Sequence, residues 1–303
     1  MDETDLKLCL SLIENSRTVY RELADKVELS VNAVHTRIQN LIDAGIIDGF
    51  NAYIGLKTLK ESFVLVIHGH SRSEQFDELV NQLSEDEYTF MLVSTSDDYL
   101  YVHGLLPNIF EMSHYVEYIS KVTEIEEAEV FLPSIPGMEA KFDFEFKTTD
   151  YEIIHSLHED SRKSFSDIAD EIEVSTKTVR RRIKIMEDAG AVDYSIRWYP
   201  VHSDDFIGIL HGFTKSQERD NILAKIKKDH FPNVFQAFKS SNHLNKVFIN
   251  LWSKNLKGIH KIMDDIEANE YFESSKMRMF YDIEYFNTWR EDLLEEKVEK
   301  SDI

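Results

Sequence analysis

One self-similarity constrains this chain more than any other feature. Set against itself with an offset of 145 residues, the sequence places Asp5 on Asp150, Ser16-Arg17 on Ser161-Arg162, Ala24-Asp25 on Ala169-Asp170 and Asp43-Ala44-Gly45 on Asp188-Ala189-Gly190. No gap is needed, and roughly a third of the positions in that window are identical. Chance does not give such a match, so the chain reads as an internal duplication.

Each copy contains the same kind of helix. The stretch 175–193, STKTVRRRIKIMEDAGAVD, opens on Ser175, whose hydroxyl can accept from a free backbone N–H of the first turn. Gly190 can take the left-handed conformation that stops it. Val179, Ile183 and Met186 form a narrow apolar stripe, while Lys177, Arg180, Arg181, Arg182 and Lys184 carry charge elsewhere on the surface. Its counterpart, 30–48, reads SVNAVHTRIQNLIDAGIID, with Val34, Ile38 and Leu41 as the stripe and Gly45 as the stop.

Upstream, 5–15 carries Leu6, Cys9, Leu10, Leu12 and Ile13 at helical spacing, and 19–27 turns Leu23, Ala24 and Val27 inward. Ile46-Ile47 and 50–54 read as a hairpin or strand. Three helices, a tight turn before the third and strands behind it predict a winged helix-turn-helix. A β-α-β-β-α-β order follows, with strands at 63–70, 90–94, 99–106 and 126–132 and helices at 74–83 and 109–122. That is the ferredoxin-like pattern. The second copy repeats the plan, with helices near 151–158, 165–173 and 176–188 and a strand at 194–199. Strands at 206–213, 234–238, 246–252 and 276–281 then alternate with helices at 217–228 and 255–268.

The expected class is α+β. The division is a winged helix at 1–55, a ferredoxin-like domain at 56–135, a linker at 136–149, a second winged helix at 150–200 and a second ferredoxin-like domain at 201–285. A charged tail at 286–303 reads as a solvated helix or frayed end.

An apolar fraction of 42% with 19 Phe and 13 Tyr supports packed cores and excludes a disordered chain. The single cysteine, Cys9, excludes a disulfide framework and a cysteine-based zinc site. No apolar run reaches membrane-spanning length and the N-terminal MDETDLK has no signal-peptide pattern, so a soluble cytoplasmic protein without a membrane partner is expected. The net charge of −22 weighs against nucleic acid. Its distribution restores that partner: 56–140 carries about −12, whereas 1–55, 141–200 and 201–303 carry only about −3 to −4 each. The most basic helix lies outside the acidic block.

A winged helix followed by a ferredoxin-like domain resembles the leucine-responsive/asparagine-regulator (Lrp/AsnC) family of transcription regulators. The likeness rests on Asp5-Leu6 with Leu12, and on Ser30, Val34, Arg37, Ile38, Leu41 and Gly45-Ile46-Ile47 at their spacing. In the second copy Asp150, Ser175, Val179, Arg182, Ile183, Met186 and Gly190 repeat it. Family members usually carry one copy and dimerise through their C-terminal sheets, so the chain looks like such a dimer fused into one polypeptide. The resemblance implies double-stranded DNA as partner, with each third helix in a major groove. It assigns Thr176, Lys177, Thr178, Arg180, Arg181, Arg182 and Lys184 to DNA in the second copy, and Ser30, Asn32, His35, Thr36, Arg37 and Gln39 in the first. For Arg37 and Arg182, beside the stripe, an ion pair within the domain is as open as a phosphate contact. The second helix should supply electrostatic grip and the first, weakly charged, base readout. The family's Gly-Asp loop near its effector site maps onto Ser96, Asp97, Asp98 and Tyr99, without the Gly, and implies an amino acid or similar small molecule. Further self-association into a homo-oligomer is expected.

Two other classes compete. Siroheme decarboxylases resemble the same architecture, but a polycarboxylated tetrapyrrole needs a pocket rich in Arg or Lys. The first ferredoxin-like domain offers only Lys57, Lys60, Arg72 and Lys121 against about sixteen acids. With no phosphate loop, nucleophile motif or metal triad, no catalytic residue and no cofactor are assigned, and the chain is not expected to be an enzyme. A protein-interaction or sensor module whose helices no longer bind DNA is the third class. His68 and His70 share a strand face, with His103 or His211 in potential reach, but no carboxylate or cysteine motif accompanies them and no metal is assigned.

Overall fold

The computed structural model describes residues 1–73, 75–133, 143–215, 219–240 and 243–300. Three helices come first, α1 (Glu3–Glu14), α2 (Tyr20–Val27) and α3 (Val31–Asp43), followed by strand β1 (Ile47–Ile54). Then come β2 (Phe63–His70), α4 (Phe76–Ser84), β3 (Thr89–Thr95), β4 (Tyr99–Leu106), α5 (Met112–Val122) and β5 (Glu129–Phe131). The order recurs as α6 (Thr148–His158), α7 (Phe165–Glu171), α8 (Thr176–Ala189) and β6 (Val192–Trp198). It continues with β7 (Phe206–Thr214), α9 (Arg219–His230), β8 (Val234–Lys239), β9 (Lys246–Ser253), α10 (Leu256–Ala268) and β10 (Phe272–Tyr285), and α11 (Trp289–Glu299) closes the chain. The mixed α+β class and the winged-helix and ferredoxin-like element orders are those expected. Positions 136–142 of the expected linker lie outside the described residues, and α6 starts inside its far end.

The chain divides into two compact units, each drawn from both copies. One gathers 7–62, 136–199 and 287–303, and so holds both winged helices. Each three-helix set buries its stripe: Val34, Ile38 and Leu41 of α3, and Val179, Ile183 and Met186 of α8. The caps match the sequence reading. Ser30 accepts from Ala33 N at 3.2 Å, and Ser175 from Thr178 N at 3.1 Å. Gly45 and Gly190 take φ of 68° and 60°, left-handed values that a side chain would strain.

The wings β1 and β6 pair with each other as an antiparallel two-stranded sheet. Around it the copies clasp reciprocally. Arg162 donates to the carbonyls of Ser16 and Thr18, both at 2.9 Å, while Arg17 donates to those of Ser161 and Lys163. The Ser16 and Ser161 hydroxyls meet at 2.5 Å. The tail departs from expectation. Thr288 and Glu291 form a capping box for α11, and Leu294 sinks into the core beside Ile153 and Leu157. An apolar residue with somewhere to pack makes this a docked helix rather than a solvated one.

The other unit, 1–6 with 63–135 and 200–286, holds an eight-stranded sheet in the order β5-β2-β4-β3-β10-β7-β9-β8. Successive side chains point to opposite faces, and the central strands are buried on both. Leu65, Ile67, Leu100 and Val102 face α4 and α5, whereas Leu210, Val247, Ile249 and Leu251 face α9 and α10. The opposite faces of the two halves meet, and Phe131 stacks on Phe248 at 4.3 Å between ring centres. β10 is longer than the expected 276–281 because it serves both halves. Its first part pairs with β7 and its last with β3.

Candidate DNA-facing helices and a charged cavity

On α8, Thr176, Lys177, Arg180, Arg181 and Lys184 are exposed and Thr178 is half-buried. Arg180 does not dangle freely: its guanidinium lies 5.0 Å from the centre of the Phe165 ring. Such stacking fixes direction while leaving the N–H edges open to an acceptor. Lys184 pairs with Asp188 one turn along, an exposed pair of little strength.

Arg182 is a correction. Assigned to DNA with an ion pair within the domain equally open, it takes the ion pair: it is 7% exposed and donates from both Nε and Nη2 to the carboxylate of Asp150, which is wholly buried. Its spacing explains this, since residue 182 stands three after Val179 and four before Met186, on the stripe itself. Arg37, at the matching place on α3, is half-buried.

The first copy presents less charge. Ser30 is spent on its cap, and the Thr36 hydroxyl donates to Asn32 O at 3.0 Å. Gln39 donates to Asp43 at 2.8 Å, and His35 lies against Tyr20 at 5.2 Å. Asn32, His35, Thr36 and Gln39 are exposed, and none of them carries a fixed charge.

The sheet unit holds a cavity of about 550 Å³ between the facing halves. Of the four expected effector residues only Tyr99 lines it. Ser96 and Asp98 are exposed on the turn, with Asp98 at φ 56°. Asp97 sits one step back, 3.2 Å from Lys276 and 3.5 Å from Arg278, both of which line the cavity. Burial raises the Asp97 carboxyl, but hydrogen bonds from Thr95 and Lys276 and the charge of Arg278 outweigh it and hold the group below its usual range.

Beneath the cavity lie two histidines at corresponding strand positions, His68 and His211, with ring centres 5.5 Å apart. His68 Nδ1 is 2.6 Å from the Tyr99 hydroxyl, and His211 Nε2 is 2.6 Å from that of Tyr101. Burial first, then the Lys246 and Arg278 charges, lower His68 to about 3. Burial, His68 and Arg278 lower His211 to about 2. Both are therefore neutral near pH 7 and bonded to phenols. Among the described residues no group of three or more His, Cys, Asp or Glu could hold a metal ion.

Sequence reasoning noted His68 and His211 but missed Lys246, Lys276 and Arg278. Their signal was present as two cations two apart in one strand, Lys276 and Arg278, and a third, Lys246, opening an apolar one, though which face they took required the register. Arg17 and Arg162 were seen as matched residues without a role.

Residues 1–48 match the winged helix-turn-helix DNA-binding family, and 148–187 match the AsnC-type helix-turn-helix domain. The transcriptional regulator LrpA of Pyrococcus horikoshii is 32% identical over 100 residues, which span 33% of this chain and 71% of that protein. The chain belongs to the Lrp/AsnC family of helix-turn-helix transcriptional regulators. Another relative, the regulator Ptr1 of Methanocaldococcus jannaschii, is 30% identical over 99 residues, 33% of this chain and 67% of that protein. Less than half of this Lrp/AsnC chain therefore covers most of a relative. Over its full length it shares a fold with the siroheme decarboxylase NirDL, at a TM-score of 0.61 and 12% identity, covering 99% of this chain and 100% of that one. No helix among the described residues is long and apolar enough to cross a membrane.

Proposed function

We propose that this chain is a sequence-specific DNA-binding transcription regulator in which one polypeptide supplies both halves of a family dimer and assembles further with its own copies. α8 is the main DNA-contacting helix, α3 adds polar contacts, and the cavity of the sheet unit takes a small-molecule effector. The observation that carries the DNA reading is the surface of α8. Lys177, Arg180 and Arg181 stand exposed on a Ser-capped helix, while Arg182, the remaining arginine, is tied to Asp150. In an acidic chain that exposed charge suits phosphate.

Fluorescence anisotropy with duplex DNA across a salt series tests it. Arg180→Ala/Arg181→Ala should weaken binding about 10- to 100-fold at low salt and make the log–log salt slope shallower by about two. Native chain that binds no duplex at low salt sinks the reading. An enzyme acting on a tetrapyrrole, as the name of NirDL suggests for that protein, has less support. Arg72 pairs with Glu126, Lys246 with Glu129 and Lys276 with Asp97, so of the four cations lining the cavity only Arg278 keeps an unmatched N–H among the described residues, too little for a polycarboxylate.

A further inference from the structure

We infer that the cavity binds a small aromatic monocarboxylate, one per chain, with its carboxylate on Arg278 and its ring among Phe213, His70 and Tyr99. This deepens the small-molecule half of the proposed function and is independent of the DNA half.

The strand registers show why the cavity has a direction. Glu129 stands opposite His68 across β5 and β2, and Lys276 stands opposite His211 across β10 and β7. Two steps along, Phe131 opposes Val66 where Arg278 opposes Ile209. Tyr99 opposes His70 where Lys246 opposes Phe213. Corresponding places thus carry Glu and Lys, Phe and Arg, Tyr and Lys. Two identical subunits would give a cavity with equivalent walls. Here one wall is acidic and the other basic, so a ligand has a single preferred orientation.

Arg278 is the seat. It is 93% buried by its 7% exposure, lines the cavity, and holds its guanidinium carbon 3.7 Å from the centre of the Tyr99 ring. Its Nε has no hydrogen-bond partner among the described residues, Asp97 stands off at 3.5 Å, and Nη1 reaches only His211 Nδ1 at 3.5 Å. A buried guanidinium costs free energy unless its donors are met, and its planar fork fits a carboxylate. Gly208 permits this placement, because a Cβ there would stand 2.1 Å from the Arg278 carbonyl. On the opposite wall Glu126 already holds Arg72 and Glu129 already holds Lys246, and Glu127 is exposed, so no buried acid there calls for a second cationic group on the ligand. Rings supply the rest of the lining. His70 meets Tyr99 edge-on at 4.8 Å, and Phe213 and neutral His211 stand across from them. About 550 Å³ falls in the usual range for small-molecule sites, roughly 300–1,000 Å³.

Isothermal titration of the full chain with 3-phenylpropionate, its neutral amide 3-phenylpropionamide, and butyrate tests the assignment. The aromatic acid should bind with one site per chain, about 10- to 100-fold tighter than the amide and clearly tighter than butyrate. Arg278→Gln should bring the acid to the level of the amide with the circular dichroism spectrum unchanged. If that variant does not fold, Lys276→Gln at the more exposed edge should weaken the acid several-fold and leave the amide alone. Equal binding of acid and amide, equal binding of butyrate, no heat from any probe, or displacement of the acid by iron-uroporphyrin III would each overturn it. Loss of DNA binding in the salt series leaves this titration unaffected, and a silent titration leaves the salt series unaffected.

Discussion

α3 and α8 are built alike and face solvent differently. Both are capped by a serine, both stop at a left-handed glycine, and both bury the same three stripe positions. Outside the stripe, Asn32, His35, Thr36 and Gln39 on one correspond to Lys177, Arg180, Arg181 and Lys184 on the other. The scaffold is held by packing and caps, which tolerate few exchanges, whereas an exposed position tolerates almost any. One architecture therefore carries two helices with unequal exposed faces. The salt-series experiment addresses the surface difference; other changes address the shared scaffold.

The largest effect is expected where the copies differ in depth. Asp150 is wholly buried against Arg182, and its removal strands a guanidinium in the core. Asp150→Ala should cost about 3–5 kcal/mol. The matched Asp5 is only half-buried and also takes part in hydrogen bonds with Asp2 at the start of α1. Asp5→Ala should cost about 1 kcal/mol or less. Urea denaturation of both variants decides. Equal costs would mean that the two copies are anchored alike and that the contrast stops at the surface.

The sheet unit supplies the opposite case, a buried pair that has stayed the same. His68 and His211 are lowered to about 3 and about 2, whereas in the unfolded chain each titrates near 6.5. As pH falls below about 6.5 the unfolded chain takes up protons that the native state refuses, so stability drops. From pH 6.5 to pH 5 each histidine should remove about 2 kcal/mol. Denaturation midpoints at the two pH values measure the loss, and His68→Gln or His211→Gln should flatten the profile by similar amounts. If only one does so, the correspondence between the halves fails at its centre.

Much of the scaffold could be read from the chain because local rules set it. The Ser caps, the glycine stops and the stripes of α3 and α8 each follow from a few neighbouring residues. Strand 63–70 showed itself through its alternation, and with 99–106 it coincides with β2 and β4. Contacts between distant segments were not legible. Nothing local says that β1 pairs with β6, that Arg17 and Arg162 exchange partners, or that β10 runs past its own half to join β3. The cavity was hidden for the same reason. Lys246 and Arg278 look like ordinary strand cations until the register sets them facing Glu129 and Tyr99. Arg182 is the instructive case, since its helical position argued for burial while its charge argued for exposure, and both an ion pair and a phosphate contact stayed open. A buried Asp150 decided between them.

The smallest effect asks whether the scaffolds are as equal as they look. Ser30→Ala and Ser175→Ala each remove one acceptor for a first-turn N–H, at 3.2 and 3.1 Å. Each should cost about 1 kcal/mol, read from the shift in urea midpoint. Ser175 also lies 2.8 Å from the Thr178 hydroxyl, a contact that Ser30 cannot make because Ala33 stands in that place. Both hydroxyls are exposed, so water replaces that extra bond and it should add little. A matched pair of losses supports two equivalent caps beneath two different surfaces. A clearly larger loss at Ser175 would place the divergence in the frame of α8 as well as on its face, and the basic helix would then be the better anchored of the two.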